Sequence, residues 1–121
     1  MKKVFDSELK VMEILWENGD TAASEIARIL NEKVGWSKTT TYTVIKKCDE
    51  KGLIRRSEGK ILCHALVSKD EVREQETSIL VDKLFEGAPD LLVANLLSSG
   101  KISKEQLAKL REQVLEEEES E

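Results

Sequence analysis

The chain has 121 residues, 40% of them hydrophobic, 4% aromatic and 36% charged, with a formal net charge of −5. That length fits one domain, or a small domain with an appendage. It holds no twenty-residue apolar run, and MKKVFDSELK lacks the apolar core of a signal peptide, which predicts a cytoplasmic protein without membrane insertion.

Asp6 or Ser7 is the expected cap of a first helix running to about Glu17, with Leu9, Val11, Met12, Leu15 and Trp16 on a broad apolar face. Asn18-Gly19-Asp20 has the chemistry of a stop and turn. Thr21 is the expected cap of a second helix to about Lys33. Its stripe is Ala23, Ile26, Ala27, Leu30 and Val34, and the small alanines allow close packing on a neighbour. Gly35 breaks the chain, Ser37 caps a third helix, and Gly52 ends it. Trp36, just before that cap, reads as a hydrophobic staple, and both Trp16 and Trp36 as core anchors.

The third helix, within WSKTTTYTVIKKCDEKG, carries the functional signal. Thr41, Val44, Ile45 and Cys48 recur at i, i+3, i+4 and i+7 and form an inward stripe. The opposite face carries Thr39, Thr43 and Lys46, with Thr40, Tyr42 and Lys47 on its flanks. Hydroxyls, a phenol and lysines can donate to a phosphate backbone, and they are small enough for the helix to enter a major groove. Charge is distributed accordingly. Residues 1–68 hold 12 basic against 10 acidic side chains (+2), residues 69–121 hold 7 against 14 (−7), and residues 37–60 hold 7 against 3 (+4). A local basic patch matters more for nucleic acid than the mean charge.

After Gly52 the periodicity changes. Leu53–Ser57 and Lys60–Leu66 are short and apolar-rich, and they flank a reversal at Glu58-Gly59, which predicts a β-hairpin. Three helices followed by a hairpin make a winged helix-turn-helix, with Arg55, Arg56 and Lys60 on the wing beside backbone phosphate. Ser68…Glu71 is a capping box opening a helix to about Glu86. Gly87-Ala88-Pro89 stops it, and Pro89 suits N1 of a short apolar helix over 90–97. Ser98-Ser99-Gly100 is a turn, and Ser103…Gln106 is a second capping box, opening a last helix whose acidic run Glu116–Glu119 is expected to fray.

The fold class is therefore mainly α with a small β-hairpin: a winged helix DNA-binding domain over 1–67 and a helical dimerisation domain over 68–121. About fifty residues in three helices leave too much apolar surface in water. Burying it against a second copy makes a homodimer with two recognition helices at a fixed spacing. The expected interface is Ile79, Leu80, Leu84, Phe85, Leu91, Leu92, Val93, Leu96, Leu97, Leu107, Leu110 and Val114. The alternative is that these helices fold back on their own chain.

Several stretches resemble the penicillinase-repressor family of winged-helix transcriptional repressors. They are Asp6-Ser7-Glu8-Leu9-Lys10-Val11-Met12 with Trp16, Ala23-Ser24-Glu25-Ile26, Trp36-Ser37 with Thr40 and Thr43, and Lys51-Gly52-Leu53. Leu66-Val67-Ser68 and Leu84-Phe85-Glu86-Gly87 continue the match in order. The resemblance implies a homodimer on a palindromic double-stranded DNA operator, with the third helix in the major groove and the wing on the backbone. It also implies a membrane sensor protease pathway that cuts the dimerisation region after an asparagine and before a phenylalanine. Asn95 matches, followed here by Leu96. Tyr42 stands where relatives carry Lys or Gln, and the wing is about a residue short and lacks the usual aromatics.

On this reading Thr39, Tyr42, Thr43 and Lys46 lie near the groove, and Lys38, Thr40, Lys47, Arg55, Arg56 and Lys60 hold phosphate. Lys46→Ala and Arg56→Ala are each expected to weaken binding and flatten its salt slope by about one unit. No arginine on the helix makes the bidentate guanine contact, and threonine methyls with the Tyr42 ring suit thymine methyls. Two cysteines, Cys48 and Cys63, are too few for a disulfide framework and are expected as reduced core residues. No cofactor is expected, because Cys63-His64 is a lone pair of ligands and the last helix has no cysteines. One histidine and no Gly-rich phosphate loop leave little for an enzyme. The competing reading is a winged-helix adaptor that binds protein and not DNA, which the acidic net charge favours.

Overall fold

The computed structural model describes residues 1–57 and 62–120. Its elements are α1 (Asp6–Asn18), β1 (Thr21–Ala22), α2 (Ala23–Val34), α3 (Lys38–Glu50), β2 (Ile54–Arg56), β3 (Leu62–Ala65), α4 (Lys69–Leu84), α5 (Pro89–Ser98) and α6 (Lys104–Ser120). The described residues are mainly helical, and the three strands among them form an antiparallel sheet in the order β1-β3-β2. It divides into two compact units, Met1–Glu76 and Thr77–Glu121. No described helix is long and apolar enough to cross a membrane.

The first unit is a helical layer closed by the small sheet. Val11, Met12, Ile14 and Leu15 of α1 meet Ile26 and Leu30 of α2, Ile45 and Cys48 of α3, and Leu53, Ile54 and Cys63 of the sheet region. Val72, in the first turns of α4, joins the same core. Trp16 is anchored as expected: it packs on the core while its indole N–H donates to the Val67 carbonyl at 2.9 Å.

Three local readings are corrected. Neither Asp6 nor Ser7 caps α1; Phe5 holds the N-cap position, and its backbone N–H donates to Glu8 Oε1 at 2.8 Å. The third residue of the helix thus reaches back to satisfy the terminal donor. Thr21 does not cap α2. It pairs with Cys63 as part of β1, its hydroxyl donates to the Gly19 carbonyl at 2.8 Å, and α2 follows Ala22 without a side-chain cap. Val34 leaves the inward stripe of α2 and is 44% exposed. It is the last helical residue, where Gly35 in the left-handed region (φ 74) turns the chain away, so no neighbour covers it.

Glu8, which the sequence marks only as part of a family-resembling stretch, is fully buried. Lys51, just after α3, donates to its Oε1 at 2.6 Å and to the Lys3 carbonyl at 2.9 Å, and its ammonium lies 4.1 Å from the Phe5 ring centroid. The start of α1 and the end of α3 are thereby clamped together by a charge-assisted bond.

In the sheet, Ile54 pairs with Ala65, Arg55 with His64 and Arg56 with Cys63. Ser57 N–H donates to the Leu62 carbonyl at 3.0 Å, the last described rung before the reversal. The expected turn at Glu58-Gly59 and the wing residue Lys60 lie outside the described residues.

In the second unit, Glu86 (φ 55) and Gly87 (φ 75) turn the chain after α4, and Pro89 occupies the first turn of α5. Ser103 and Gln106 cap α6 reciprocally: Ser103 N–H donates to Gln106 Oε1 at 2.9 Å, and Gln106 N–H to Ser103 Oγ at 3.0 Å. Instead of fraying, α6 continues through Glu116–Glu119, all four exposed. Glutamate is a good helix former, and solvent screens the like charges.

Candidate nucleic-acid interface

The interface is built on α3, and local bonds fix where that helix starts. Ser37 Oγ accepts the Thr40 backbone N–H at 3.1 Å and pairs with Thr40 Oγ1 at 2.9 Å. Asn31 Nδ2 donates to the Trp36 carbonyl at 2.9 Å, tying the end of α2 to the residue before the cap. Trp36 packs against the core, as expected of an anchor.

The two faces of α3 separate as the periodicity demands. Thr41 and Cys48 are fully buried and Val44 and Ile45 nearly so. Lys38, Thr39, Thr40, Thr43, Lys46 and Lys47 are all exposed. Tyr42 lies between the faces, packed on the core along one edge and open along the other, with the Lys38 ammonium 5.6 Å from its ring centroid. Not every hydroxyl is free to donate outward. Thr43 Oγ1 donates to the Thr39 carbonyl at 3.0 Å, so the exposed residue offers its methyl and the acceptor side of its hydroxyl and no donor.

The wing arginines do not share a face. Successive strand residues point to opposite sides, and the cross-strand partners confirm the alternation. Arg56 pairs with buried Cys63, and Arg55 with His64. Arg56 reaches back to α3, where its Nε and Nη2 donate to Asp49 Oδ2 at 3.1 and 3.0 Å. Arg55 is exposed on the other side, and its neighbour His64 holds Asp20 through Nδ1 and Oδ1 at 2.6 Å. Of the two arginines, only Arg56 therefore lies on the α3 side of the sheet. Asp49 was missed by the sequence reading. It sits in an ordinary charged run, and only the return of the hairpin brings a partner from seven residues away.

Both cysteines are free and buried. Burial pushes the Cys48 thiol up to about 12, and the nearby Glu8 carboxylate adds to the rise. The Cys63 thiol is likewise raised by burial. Cys63 and His64 are adjacent on β3 and face opposite ways, so they cannot grip one metal ion. Among the described residues, no group of three or more His, Cys, Asp or Glu side chains could hold a metal ion.

In the second unit the expected interface residues are largely uncovered within one chain. No residue of α5 is buried. Leu84, Leu91, Val93, Leu97, Leu107, Leu110 and Val114 are all exposed, and Leu115, not singled out from the sequence, joins them at 49%. Apolar grooves flank α6, one lined by Leu107, Ala108 and Leu115, the other by Leu96, Ile102 and Leu110.

Comparison with known proteins bears on this geometry. The penicillinase repressor family model matches residues 5–116. The methicillin resistance regulatory protein MecI of Staphylococcus aureus strain N315 is 25% identical over 111 residues, covering 90% of each chain. The MecI protein of Mammaliicoccus sciuri is similar to the same extent, 25% over 111 residues and 90% of each chain. A penicillinase repressor of Staphylococcus aureus is 24% identical over 108 residues, covering 88% of this chain and 86% of its own. A match of this length, over a winged helix-turn-helix that turns hydroxyls and lysines outward, places the chain: it belongs to the penicillinase repressor family, a family of DNA-binding transcriptional repressors.

Proposed function

We propose that the protein is a homodimeric repressor that occludes a palindromic operator. The observation that carries this reading is the outward face of α3, where Thr39, Thr43 and Lys46 stand opposite the buried Thr41, Val44, Ile45 and Cys48. Thr39, Tyr42, Thr43 and Lys46 meet base edges and sugar in the major groove. Lys38, Thr40 and Lys47 engage phosphate from α3, Arg56 from the α3 side of the wing, and Arg55, on the opposite side of the sheet, and Lys60 from the rest of the wing. The methyl of exposed Thr43 suits a thymine methyl, and direct readout is modest because α3 carries no arginine. Affinity therefore leans on dimerisation, which makes the second half-site contact intramolecular.

The dimer forms through the uncovered faces of α5 and α6, with Ile79, Leu80, Leu84 and Phe85 of the preceding segment. Whatever separates the protomers releases DNA. Proteolysis at Asn95-Leu96 is one such route. Asn95 and Leu96 lie within α5, and the Asn95 carbonyl accepts the N–H of the C-cap residue Ser99 at 3.0 Å, so a protease that needs an extended backbone acts only after the end of α5 opens.

The test is a salt titration of binding to a mixed-sequence duplex. A repressor loses orders of magnitude in affinity between low and moderate salt, and Lys46→Ala flattens the slope of log K against log salt by about one unit per bound protomer. A protein-binding adaptor shows no binding at any salt, and that outcome would overturn the reading.

A further inference from the structure

The ion pair between Asp49 and Arg56 joins the recognition helix to the wing. Both donors of one guanidinium edge, Nε and Nη2, converge on a single carboxylate oxygen, and the two side chains are 37% and 36% exposed. We propose that Asp49 is an electrostatic brake on DNA binding: its carboxylate neutralises the wing arginine and lowers the affinity for DNA of any sequence. The inference rests on the reading of α3 and β2 as facing DNA.

Asp49 is badly placed to serve the fold alone. It lies in the last turn of α3, where the negative end of the helix dipole disfavours a carboxylate. A pair this exposed contributes only about 0–1 kcal/mol to stability. What the carboxylate does change is the field on the basic face. It sits one helical turn beyond Lys46, on the side from which Arg56 approaches. An unpaired arginine that meets a phosphate releases about one counterion, whereas an arginine already neutralised by Asp49 releases little. A phosphate that meets the remaining guanidinium edge also comes up against the carboxylate. Weakening contacts that every sequence offers equally lowers competition from non-operator DNA, which widens the ratio of specific to generic binding.

The test compares the full-length protein with Asp49→Asn, Arg56→Ala and the double variant on a mixed-sequence duplex across a fourfold range of salt. Asp49→Asn is close to isosteric at a half-exposed site, and matching circular dichroism spectra and melting curves check the fold. Asp49→Asn is expected to bind more tightly, with a slope steeper by about 0.9 per bound protomer. That is about 3.5-fold more affinity lost over the fourfold rise in salt. In the wild-type background Arg56→Ala is expected to move the slope by well under the roughly one unit that the sequence alone suggests, and by about that unit in the Asp49→Asn background. An unchanged slope in Asp49→Asn would overturn the proposal. Weaker binding would overturn it too, and would make Asp49 a prop that aims Arg56. If the wild-type protein bound no duplex even at low salt, the DNA-facing reading would fail and the brake with it.

Discussion

Glu8 is a charge placed where water cannot reach it, and its tolerance depends on one neighbour. Lys51 donates at 2.6 Å while keeping only 18% of its own side chain exposed. Removing one partner of such a pair is far costlier than replacing both, because the survivor is left charged and desolvated. Lys51→Ala is therefore expected to destabilise the protein by about 3 kcal/mol in urea unfolding. A Glu8→Gln, Lys51→Met double variant should recover most of that loss, since glutamine keeps the acceptor for the Phe5 N–H. Cys48 supplies a second residue-level test through its raised thiol, at about 12 against an ordinary 9.0. A thiol held neutral in the folded state favours folding fully below pH 9 and loses that advantage as pH rises toward 12. Unfolding free energy measured across that window should fall with pH, and Cys48→Ala should flatten the fall. Native Cys48 should also resist alkylation at pH 8, because little thiolate forms.

At the scale of elements, α3 depends on its first turn. Ser37→Ala removes the acceptor for the Thr40 N–H and the partner of the Thr40 hydroxyl, and should cost about 1 kcal/mol in thermal unfolding. Ser37→Asp should keep most of that stability, since a carboxylate at the positive end of the helix also caps it. The stripe and opposite face of α3 were legible in the sequence because a helix of thirteen residues repeats its pattern several times. Two-residue β1 was not legible. It has no alternation to show, and it exists only because Thr21 and Ala22 lie beside Cys63 and Leu62. The Phe5 cap was hidden for a related reason: the group that satisfies the helix end comes from Glu8, while Phe5 itself has no capping side chain. The Asp49–Arg56 pair was invisible because helical spacing says nothing about a strand returning over the helix. What repeats locally was readable, and what depends on a partner distant in the chain was not.

At the scale of the whole molecule, the apolar surface of the second unit is the feature that a single chain leaves unresolved. α5 buries none of its residues, and Leu107, Leu110 and Val114 of α6 are 36%, 47% and 56% exposed. Leaving a leucine side chain in water forgoes about 1.5–3 kcal/mol relative to full burial, so several such residues together favour a second copy strongly. The charge of −7 over residues 69–121 repels a polyanion, so this segment offers DNA no attractive surface of its own. Leu110→Glu tests the arrangement directly. Its side chain is half exposed in one protomer, so helix content should not change. A carboxylate buried without a partner across a two-fold axis is costly, and it is met by its own symmetry mate. Sedimentation at micromolar concentration should then report a monomer for the variant and, on the proposed reading, a dimer for the wild-type protein. With the second half-site no longer tethered to the first, affinity for a palindromic site should drop by about a hundredfold or more, while affinity per protomer for mixed DNA stays as it was. A Leu110→Glu protein that remained dimeric would move the interface off α6, and one that was monomeric yet held the palindrome undiminished would remove dimerisation from the mechanism.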